Sequence, residues 1–455
     1  MVINMTTKTP INDYIKEYCE SDFSRFHMPG HKGQKLHGLE AFDITEINGA
    51  DYLYEADGVI AKSEMLTSQI FGSKKTLYST EGSSLSIKTM LNIVSQNRKD
   101  FSQNPLILAP RNVHKAFING CCLLDIDVEW IYSNDISQGL CSCIVTADEV
   151  DIAIRECERI PDAVYITSPD YLGNIADVKG ISQVCHEKNI PLIVDNAHGA
   201  YLKFLDKSLH PIDLGADMCC DSAHKTLPVY TGGSYLHISK SAPNSWAECS
   251  KEAMALFAST SPSYLIMESL DKCCGELQSD LPQRIRDCAK NILSIQKNIK
   301  SFGWDIRQNE PLKLTIYSQS MGYSGNELAQ ILREKKIECE YADKSCVVLM
   351  CSPYNKENDF KRLISTFSQI NKKDKVEVNC EEQLKISRAI IKMPIRQAFF
   401  SKIKKISVEY AEGKICGKPA LSCQPSIPII FPGELITGDI IEILKSYGIF
   451  EISVI

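Results

Sequence analysis

The sequence lacks the features that mark membrane, secreted and nucleic-acid-binding proteins. Among its 455 residues, no apolar run approaches the roughly 20 residues that a membrane-spanning helix requires. The first ten residues contain no apolar segment of a secretory signal. A formal net charge of −7 argues against the basic face that a phosphate backbone selects. We therefore expect a cytoplasmic protein with no membrane partner and no nucleic-acid partner.

The sequence also lacks the CxxC spacing, which occurs at none of the 19 cysteines. This excludes the common zinc and redox motifs. Three pairs are adjacent, at 121–122, 219–220 and 273–274, and adjacent cysteines suit a disulfide framework poorly. We predict reduced thiols that pack as small hydrophobic side chains. A metal site assembled from distant cysteines is the alternative, and no metal is expected.

The chain is long enough for two or three domains, and its parts differ in character. Residues 1–65 are rich in Gly, Pro, His and Asp and are predicted to form an arm, with a short helix near 10–20 and a loop over 26–33. In 66–300, short apolar runs at 106–108, 164–166 and 192–194 predict strands and alternate with helical stretches, a pattern typical of a parallel sheet covered on both faces. We expect a small α+β domain over 301–375 and a C-terminal domain over 376–455, with a helix near 395–411.

The strongest chemical signal is residues 221–226, Asp-Ser-Ala-His-Lys-Thr, which follow the apolar run 218–220. At the end of a strand, Lys225 is expected to be held in place and partly desolvated, which favours the neutral amine that forms a Schiff base. The Ser222 hydroxyl and the His224 ring can both reach an anion such as a phosphate. For this motif alone, a surface lysine after a strand is the alternative.

A second motif lies thirty residues upstream, at Asp195. The run Ile193-Val194 indicates a buried strand that ends in this acid, and the carboxyl end of a parallel strand is where ligands bind. A carboxylate there can pair with the protonated pyridine nitrogen of pyridoxal phosphate (PLP) and make the cofactor a better electron sink. An aspartate that caps the next helix is the alternative.

Two further motifs also follow predicted strands. Residues 79–84 read Ser-Thr-Glu-Gly-Ser-Ser and open a helix, whose N–H groups with the hydroxyls of Ser83 and Ser84 form an anion seat. His114 can stack on an aromatic ring. Taken singly, an ordinary Ser-capped helix and a structural histidine are the alternatives. The order of the four motifs, each near a strand end, predicts a PLP enzyme with Lys225 as the Schiff-base lysine.

With these residues placed, the sequence resembles the fold type I PLP enzymes, and more narrowly the bacterial ornithine/lysine/arginine decarboxylases of the aspartate aminotransferase fold. The resemblance runs from about Phe26 to the C-terminus. It is carried by residues 26–33, 43–46 with Gly49 and Asp51, 112–115, 222–228, 233–237, 261–264, 427–428 and 432–434.

The resemblance implies an α/β fold: a PLP-dependent transferase-like three-layer domain with a mostly parallel central sheet, plus smaller α+β C-terminal domains. It implies a homodimer or higher oligomer with shared active sites, which decarboxylates a basic amino acid to an amine for polyamine biosynthesis. The chain lacks the N-terminal wing domain of the long members, so a short form is expected.

By position, the resemblance also implies residue roles. Lys225 forms the internal aldimine with PLP, Asp195 pairs with the pyridine nitrogen, and His198 lies beside the ring. His114 stacks on the ring face, and Lys225 or His224 reprotonates Cα. The phosphate is assigned to Ser83, Ser84, Ser222 and His224, with Thr260 or Ser261 reaching the phosphate of the neighbouring subunit.

Substrate identity is left open. A basic substrate needs acidic partners, and Glu46, Asp51 and Glu434 are the candidates, although each could equally be a surface or capping residue. Two departures from the family pattern are expected in or near the substrate pocket: Gly232 stands where Gln is common, and 424–426 read Gln-Pro-Ser where Pro-Pro-Gly is common. Transamination or β-elimination on the same cofactor and a non-catalytic PLP-binding protein are the competing functions.

Overall fold

The computed structural model describes residues 8–133, 144–373, 388–421 and 426–455. In these ranges the helices are α1 (Pro10–Glu20), α2 (Val59–Phe71), α3 (Gly82–Gln96), α4 (Lys115–Leu124), α5 (Ala147–Glu156), α6 (Val178–Glu187), α7 (Pro211–Leu214), α8 (Ala223–Thr226), α9 (Asn244–Ala255), α10 (Tyr264–Leu277), α11 (Leu281–Ser301), α12 (Gly325–Glu334), α13 (Glu357–Gln369), α14 (Ile395–Phe400) and α15 (Gly438–Ser446). The strands are β1 (Lys75–Ser79), β2 (Leu106–Pro110), β3 (Asp127–Ile131), β4 (Ala163–Thr167), β5 (Leu192–Asp195), β6 (Met218–Asp221), β7 (Ser234–Ile238), β8 (Asp305–Ile306), β9 (Lys313–Tyr317), β10 (Tyr341–Ala342), β11 (Cys346–Met350), β12 (Lys404–Ser407), β13 (Ala420–Leu421), β14 (Pro428–Ile430) and β15 (Glu451–Val454).

The chain divides into two compact units, each assembled from separate stretches. The first comprises Met1–Ile107, Cys157–Ile166 and Val178–Gln283. The second comprises Leu108–Glu156, Thr167–Asp177 and Arg284–Ile455. The four consecutive domains expected from the sequence stay a prediction, because this division follows spatial contacts and cuts across the chain order.

A seven-stranded sheet has the order β1-β7-β6-β5-β4-β2-β3. It is mostly parallel, as expected: β5 and β6 pair in parallel, whereas β7 runs antiparallel to both β1 and β6. Every residue of β5 and β6 is buried. The continuous apolar runs that predicted strands at 106–108, 164–166 and 192–194 arise because a strand covered on both faces needs no polar alternation.

In the second unit a four-stranded sheet has the order β10-β11-β9-β8, with helices α12 and α13 following β9 and β11 in the chain. These elements confirm the α+β pattern predicted for this region. Helix α12 begins at a capping box, in which Ser324 and Glu327 satisfy each other's backbone N–H groups. The C-terminal stretch has its own apolar core around α15, β14 and β15.

The helix predicted near 395–411 is wrong in length. Helix α14 ends at Phe400, and β12 then pairs antiparallel with β15, with Ile406 opposite Ile452. Strand pairing prevails because Ile406 packs against the C-terminal core, while Lys404 and Lys405 stay exposed. These two lysines therefore lie on an edge strand.

The remaining findings concern the N-terminal stretch, the cysteines and the search for membrane-spanning helices. Helix α1 lies where it was predicted, and residues 26–33 form turns. Every cysteine within the described ranges is a free thiol, and most are buried. In the same ranges, no helix is both long enough and apolar enough to cross a membrane.

Candidate active site

Lys225 lies in the single turn of α8, directly after the buried strand β6. Its backbone N–H donates to the Ser222 carbonyl at 3.0 Å, and its Nζ lies 3.0 Å from Nε2 of His198. The lysine is exposed in the single chain, so the partial desolvation expected from the sequence is not seen. Its amine is accessible and has a histidine as its neighbour, which is the arrangement needed to receive a carbonyl compound.

Asp195 ends the neighbouring strand β5 and is 3% exposed. Its Oδ1 accepts from the Ala197 backbone N–H at 3.2 Å, and its Oδ2 accepts from the Tyr165 hydroxyl at 3.1 Å. The Cys220 thiol donates to Oδ1 at 3.6 Å. Burial raises the pKa of this carboxyl above its ordinary value, whereas Lys225 and these donors lower it. A buried carboxylate beside an amine is thus formed by the ends of two parallel strands.

The anion seat forms at the start of α3. Gly82 has φ +69°, and a Cβ there would meet no atom within 4 Å, so the backbone turns next to open space. The Ser222 hydroxyl donates to the Ser83 hydroxyl at 2.8 Å, which joins this helix start to the Lys225 loop. Ser84 is exposed at the same helix end. The first N–H groups of a helix together with such hydroxyls suit a phosphate.

His224 directly precedes Lys225 in the sequence and is half-buried. Its Nδ1 lies 2.9 Å from the Gly233 carbonyl and donates to it. Burial lowers the pKa of the ring; the bond to Gly233 opposes this, and the Lys225 charge adds to the lowering. The neutral ring therefore keeps a lone pair on Nε2, and it can donate from that atom only after it has taken up a proton.

His114 caps the start of α4 in the second unit. Its Nδ1 accepts from the Ala116 backbone N–H at 3.1 Å, so the neutral ring carries its proton on Nε2. The Lys115 backbone N–H donates to the Ser426 carbonyl at 3.0 Å. The stacking role of His114 stays a prediction.

Thr260 and Ser261 are exposed in the loop between α9 and α10. The loop is tied to the start of α3, because the Ser259 backbone N–H donates to Oε1 of Glu81 at 2.7 Å. Their exposure leaves both hydroxyls available to another molecule. Their reach into a neighbouring subunit stays a prediction.

The three acidic candidates for the substrate differ in their surroundings. Asp51 accepts backbone N–H groups from residues 52, 57, 58, 60 and 61, so it caps this turn and the start of α2. Glu434 is 3% exposed and forms a bidentate pair with Arg111, at 2.6 and 3.0 Å. Glu46 is exposed and accepts from the Thr45 hydroxyl. The geometry favours structural roles for Asp51 and Glu434, the alternative that the sequence had left open.

Of the two departures from the family pattern, the structure describes Gly232 but only part of 424–426. Gly232 has φ +101°, and a Cβ there would lie 2.9 Å from the Thr80 carbonyl oxygen. Its own carbonyl accepts from the Gly82 N–H at 2.7 Å, so it supports the anion seat. In the other departure, Gln424 and Pro425 fall outside the described residues, and Ser426 has φ +64°.

A polar network behind the site was missed by sequence reasoning. Asp221, the last residue of β6, accepts from His210 at 3.0 Å, from His237 at 3.2 Å and from Asn196 at 2.6 Å. Burial raises the pKa of Asp221, but the histidines lower it well below its ordinary value. Because these partners come from distant positions, no local pattern could have identified them.

Part of this network has metal-ligating atoms, since His210, Cys219 and Asp221 offer atoms within 4.8 Å of one another. All three are buried. The His210 and Asp221 atoms already hydrogen-bond to each other, and burial raises the Cys219 pKa well above its ordinary value, so the thiol stays protonated. A metal would have to displace these bonds and protons, and the cluster is therefore better described as structural.

PLP fits the residues at the ends of β5 and β6. The cofactor needs an amine for its aldehyde, an acid for its ring nitrogen and a seat for its phosphate, and Lys225, Asp195 and the start of α3 supply these groups. The Thr226 hydroxyl, one residue after Lys225 in sequence, is buried and finds no hydrogen-bond partner among the described residues. A buried donor without a partner is uncommon in proteins.

Comparisons with known proteins point to the same chemistry. Residues 9–317 match the family described as Orn/Lys/Arg decarboxylase, major domain. The chain is 26% identical to the arginine decarboxylase of Bacillus subtilis strain 168, over 95% of this chain and 92% of that protein. It is 27% identical to the arginine decarboxylase of Bacillus anthracis, over 96% and 92%.

Solved structures show the shared fold. The E. coli constitutive lysine decarboxylase superimposes with a TM-score of 0.79 at 16% identity, covering 99% of this chain and 82% of that one. Lysine decarboxylase A from Pseudomonas aeruginosa gives 0.80 at 15% identity, covering 97% and 76%. Since the family match spans more than half of the residues, the chain belongs to the Orn/Lys/Arg decarboxylase family and is a PLP-dependent amino-acid decarboxylase.

Proposed function

We propose that this protein decarboxylates L-arginine, with lysine and ornithine as the alternative basic substrates, and releases the amine and carbon dioxide. The observation that carries the proposal is the contact between Nζ of Lys225 and Nε2 of His198, with the buried Asp195 at the end of the adjacent strand. Arginine is preferred because two Bacillus relatives, each matched over more than 90% of its length, are named arginine decarboxylases.

The first task of the residues is to hold the cofactor. Bound PLP supplies an electron sink for the electrons that remain on the substrate when carbon dioxide leaves. The Lys225 amine would bind the aldehyde carbon, and Asp195 would pair with the ring nitrogen. The hydroxyls of Ser83, Ser84 and Ser222, together with the helix start, would bind the phosphate, and we assign His114 to one face of the ring.

The second task is to move protons. His198 lies within hydrogen-bond distance of the Lys225 amine, so it can accept a proton from this amine and return it later. Loss of that proton makes the amine a nucleophile. After carbon dioxide has left, Cα needs a proton, and Lys225 or His224 supplies it. His224 must first be protonated at Nε2, because its Nδ1 is bonded to Gly233.

The third task is recognition of the basic side chain. Of the three acidic candidates, Glu46 keeps an exposed side chain, and we assign the contact to it. Asp51 instead caps the backbone turn before α2, and Glu434 instead pairs with Arg111.

We also propose that the protein forms a homodimer with shared active sites. We further propose a cytoplasmic location, a role in polyamine biosynthesis and a chain of four consecutive domains. The exposure of Thr260 and Ser261 supports the dimer, since it leaves both hydroxyls available to a neighbouring subunit. Mixed subunits test it: Lys225→Ala protein combined with a Thr260→Ala, Ser261→Ala double variant should regain activity if one intact site forms across the interface. No regain, with mixed dimers present, would contradict sharing.

Product analysis tests the reaction itself. Protein purified with PLP is incubated separately with arginine, lysine and ornithine, and carbon dioxide and amine are measured. Release of both in equal amounts from arginine, and none from Lys225→Ala protein, is the expected result. A keto acid without carbon dioxide would identify a transaminase instead. No product from any of the three substrates would refute a basic amino-acid decarboxylase.

A further inference from the structure

Asp195 is held by side chains from the strands on both sides of it. In the sheet order, β5 lies between β4 and β6. Tyr165 on β4 donates its hydroxyl to Oδ2, and Cys220 on β6, directly opposite Asp195 in register, donates its thiol to Oδ1. Tyr165 and Cys220 are both 0% exposed. Nothing in the sequence motif of Asp195 indicates these two partners.

We infer that Tyr165 and Cys220 are positioning residues that orient the Asp195 carboxylate and keep it charged for the pyridine nitrogen of PLP. This inference rests on the proposed role of Asp195 toward the cofactor. One side-chain donor binds each carboxylate oxygen, and the Ala197 backbone N–H also donates to Oδ1, so the plane of the carboxylate is set from two sides. Oδ2, which accepts from the Tyr165 hydroxyl, keeps a second lone pair for a further partner.

Electrostatics explains why such donors are needed. Burial disfavours the charged form of Asp195 and raises its pKa, and a neutral acid has no negative charge to offer a protonated ring nitrogen. Hydrogen bonds donated to the carboxylate stabilise the charged form and oppose the burial effect. The backbone N–H of Ala197 and the Lys225 charge act in the same direction.

The thiol of Cys220 suits the role of a donor. Burial, followed by the negative charge of Asp195, raises its pKa well above the ordinary value of a cysteine, so the sulfur keeps its proton. A protonated thiol without solvent access is inert as a nucleophile or metal ligand. Its remaining chemistry is the weak hydrogen bond to Oδ1, and this gives one of the adjacent cysteines of β6 a specific task.

Matched variants separate this role from ordinary packing. Tyr165→Phe removes the hydroxyl and keeps the ring, and Cys220→Ala removes the thiol, which Cys220→Ser replaces with another donor. Tyr78→Phe is the control for the first change, because Tyr78 is equally buried but hydrogen-bonds to serine and threonine hydroxyls. Cys219→Ala is the control for the second, because Cys219 is equally buried on the same strand.

The measured quantity is the dissociation constant of PLP, obtained by titrating cofactor-free protein and following the absorbance of the bound cofactor. A hydrogen bond to a charged group predicts roughly ten- to hundredfold weaker binding in Tyr165→Phe. The thiol donates more weakly, so Cys220→Ala should weaken binding by a smaller factor and Cys220→Ser should restore it. The two control variants should bind PLP as the unmodified protein does.

A double-mutant cycle with Asp195→Ala decides whether the effect passes through this carboxylate. Once Asp195 is absent, Tyr165→Phe should change the PLP affinity no further; an equal loss in both backgrounds would overturn the inference. Unchanged affinity in Tyr165→Phe and Cys220→Ala, with loss in Asp195→Ala, would overturn it too. Unchanged affinity in Asp195→Ala would instead refute the proposed role of Asp195. If Tyr165→Phe does not fold, the same cycle with Cys220→Ala gives the answer.

Discussion

The buried pair of Arg111 and Glu434 allows a test that separates a structural acid from a substrate-binding one. Their side chains are 8% and 4% exposed, and two hydrogen bonds join them at 2.6 and 3.0 Å. Glu434 also accepts from the Phe431 backbone N–H at 3.0 Å, and the Arg111 guanidinium lies 4.5 Å from the Phe431 ring centroid. Both charges are thus fully engaged within the second unit.

Glu434→Gln leaves the Arg111 charge buried without its counterion. Burial lowers the pKa of Arg111 and Glu434 raises it, with a net rise, so the guanidinium stays charged and must be desolvated unpaired. Loss of one partner of a buried pair costs about 3–5 kcal/mol of unfolding free energy. Glu451→Gln is the control, because Glu451 pairs with Lys405 at the surface, where such pairs contribute about 0–1 kcal/mol.

Urea unfolding followed by tryptophan fluorescence measures this loss, since Trp130 stacks on Phe431 at a centroid distance of 4.3 Å. The KM for arginine is measured on the folded variant at low temperature. We expect a large loss of stability with little change in KM. An unchanged unfolding midpoint with a strongly raised KM would refute the structural assignment and return Glu434 to the substrate site.

Two further predictions concern the first unit. Gly232→Ala places a Cβ 2.9 Å from the Thr80 carbonyl oxygen at a positive φ, so we expect a stability loss of about 1–3 kcal/mol and weaker PLP binding. Gly30→Ala is the control, because a Cβ there meets no atom within 4 Å. Wild-type stability and wild-type PLP affinity in Gly232→Ala would contradict this prediction. Asp271 accepts from Asn12 N–H at 2.9 Å and from Ser63 at 2.5 Å, and burial raises its pKa to about 6. Between about pH 4 and about pH 6, the folded state holds a proton that the unfolded state has released. The contribution of Asp271 to stability should therefore fall as pH rises from about 4 to about 6, by about 3 kcal/mol in total. Denaturation measured across that pH range should show no such fall from this position in Asp271→Asn.

Local sequence patterns were sufficient for the elements that carry the chemistry. The apolar runs before Asp195 and Lys225 predicted β5 and β6, because a strand covered on both faces needs no alternation of polar residues. The stretch 79–84 predicted the start of α3, although Glu81 is its N-cap residue and no side chain caps the helix there. The prediction was wrong for residues 404–407, where pairing with the distant β15 outweighed the helical pattern.

The sequence by itself determined the class of the protein. A lysine after one strand, an acid after another and a Ser-rich helix start are local signals that together predict a PLP enzyme, and the resemblance from about Phe26 to the C-terminus implied the decarboxylase family. Only the tertiary structure decided what these residues touch. Tyr165 and Cys220 reach Asp195 because β4 and β6 flank β5, and Glu434 reaches Arg111 across more than 300 positions of the chain. Such contacts depend on how distant segments pack. The residues around Glu434 or Cys220 in the sequence would look the same whether the side chain binds a ligand or a neighbouring side chain.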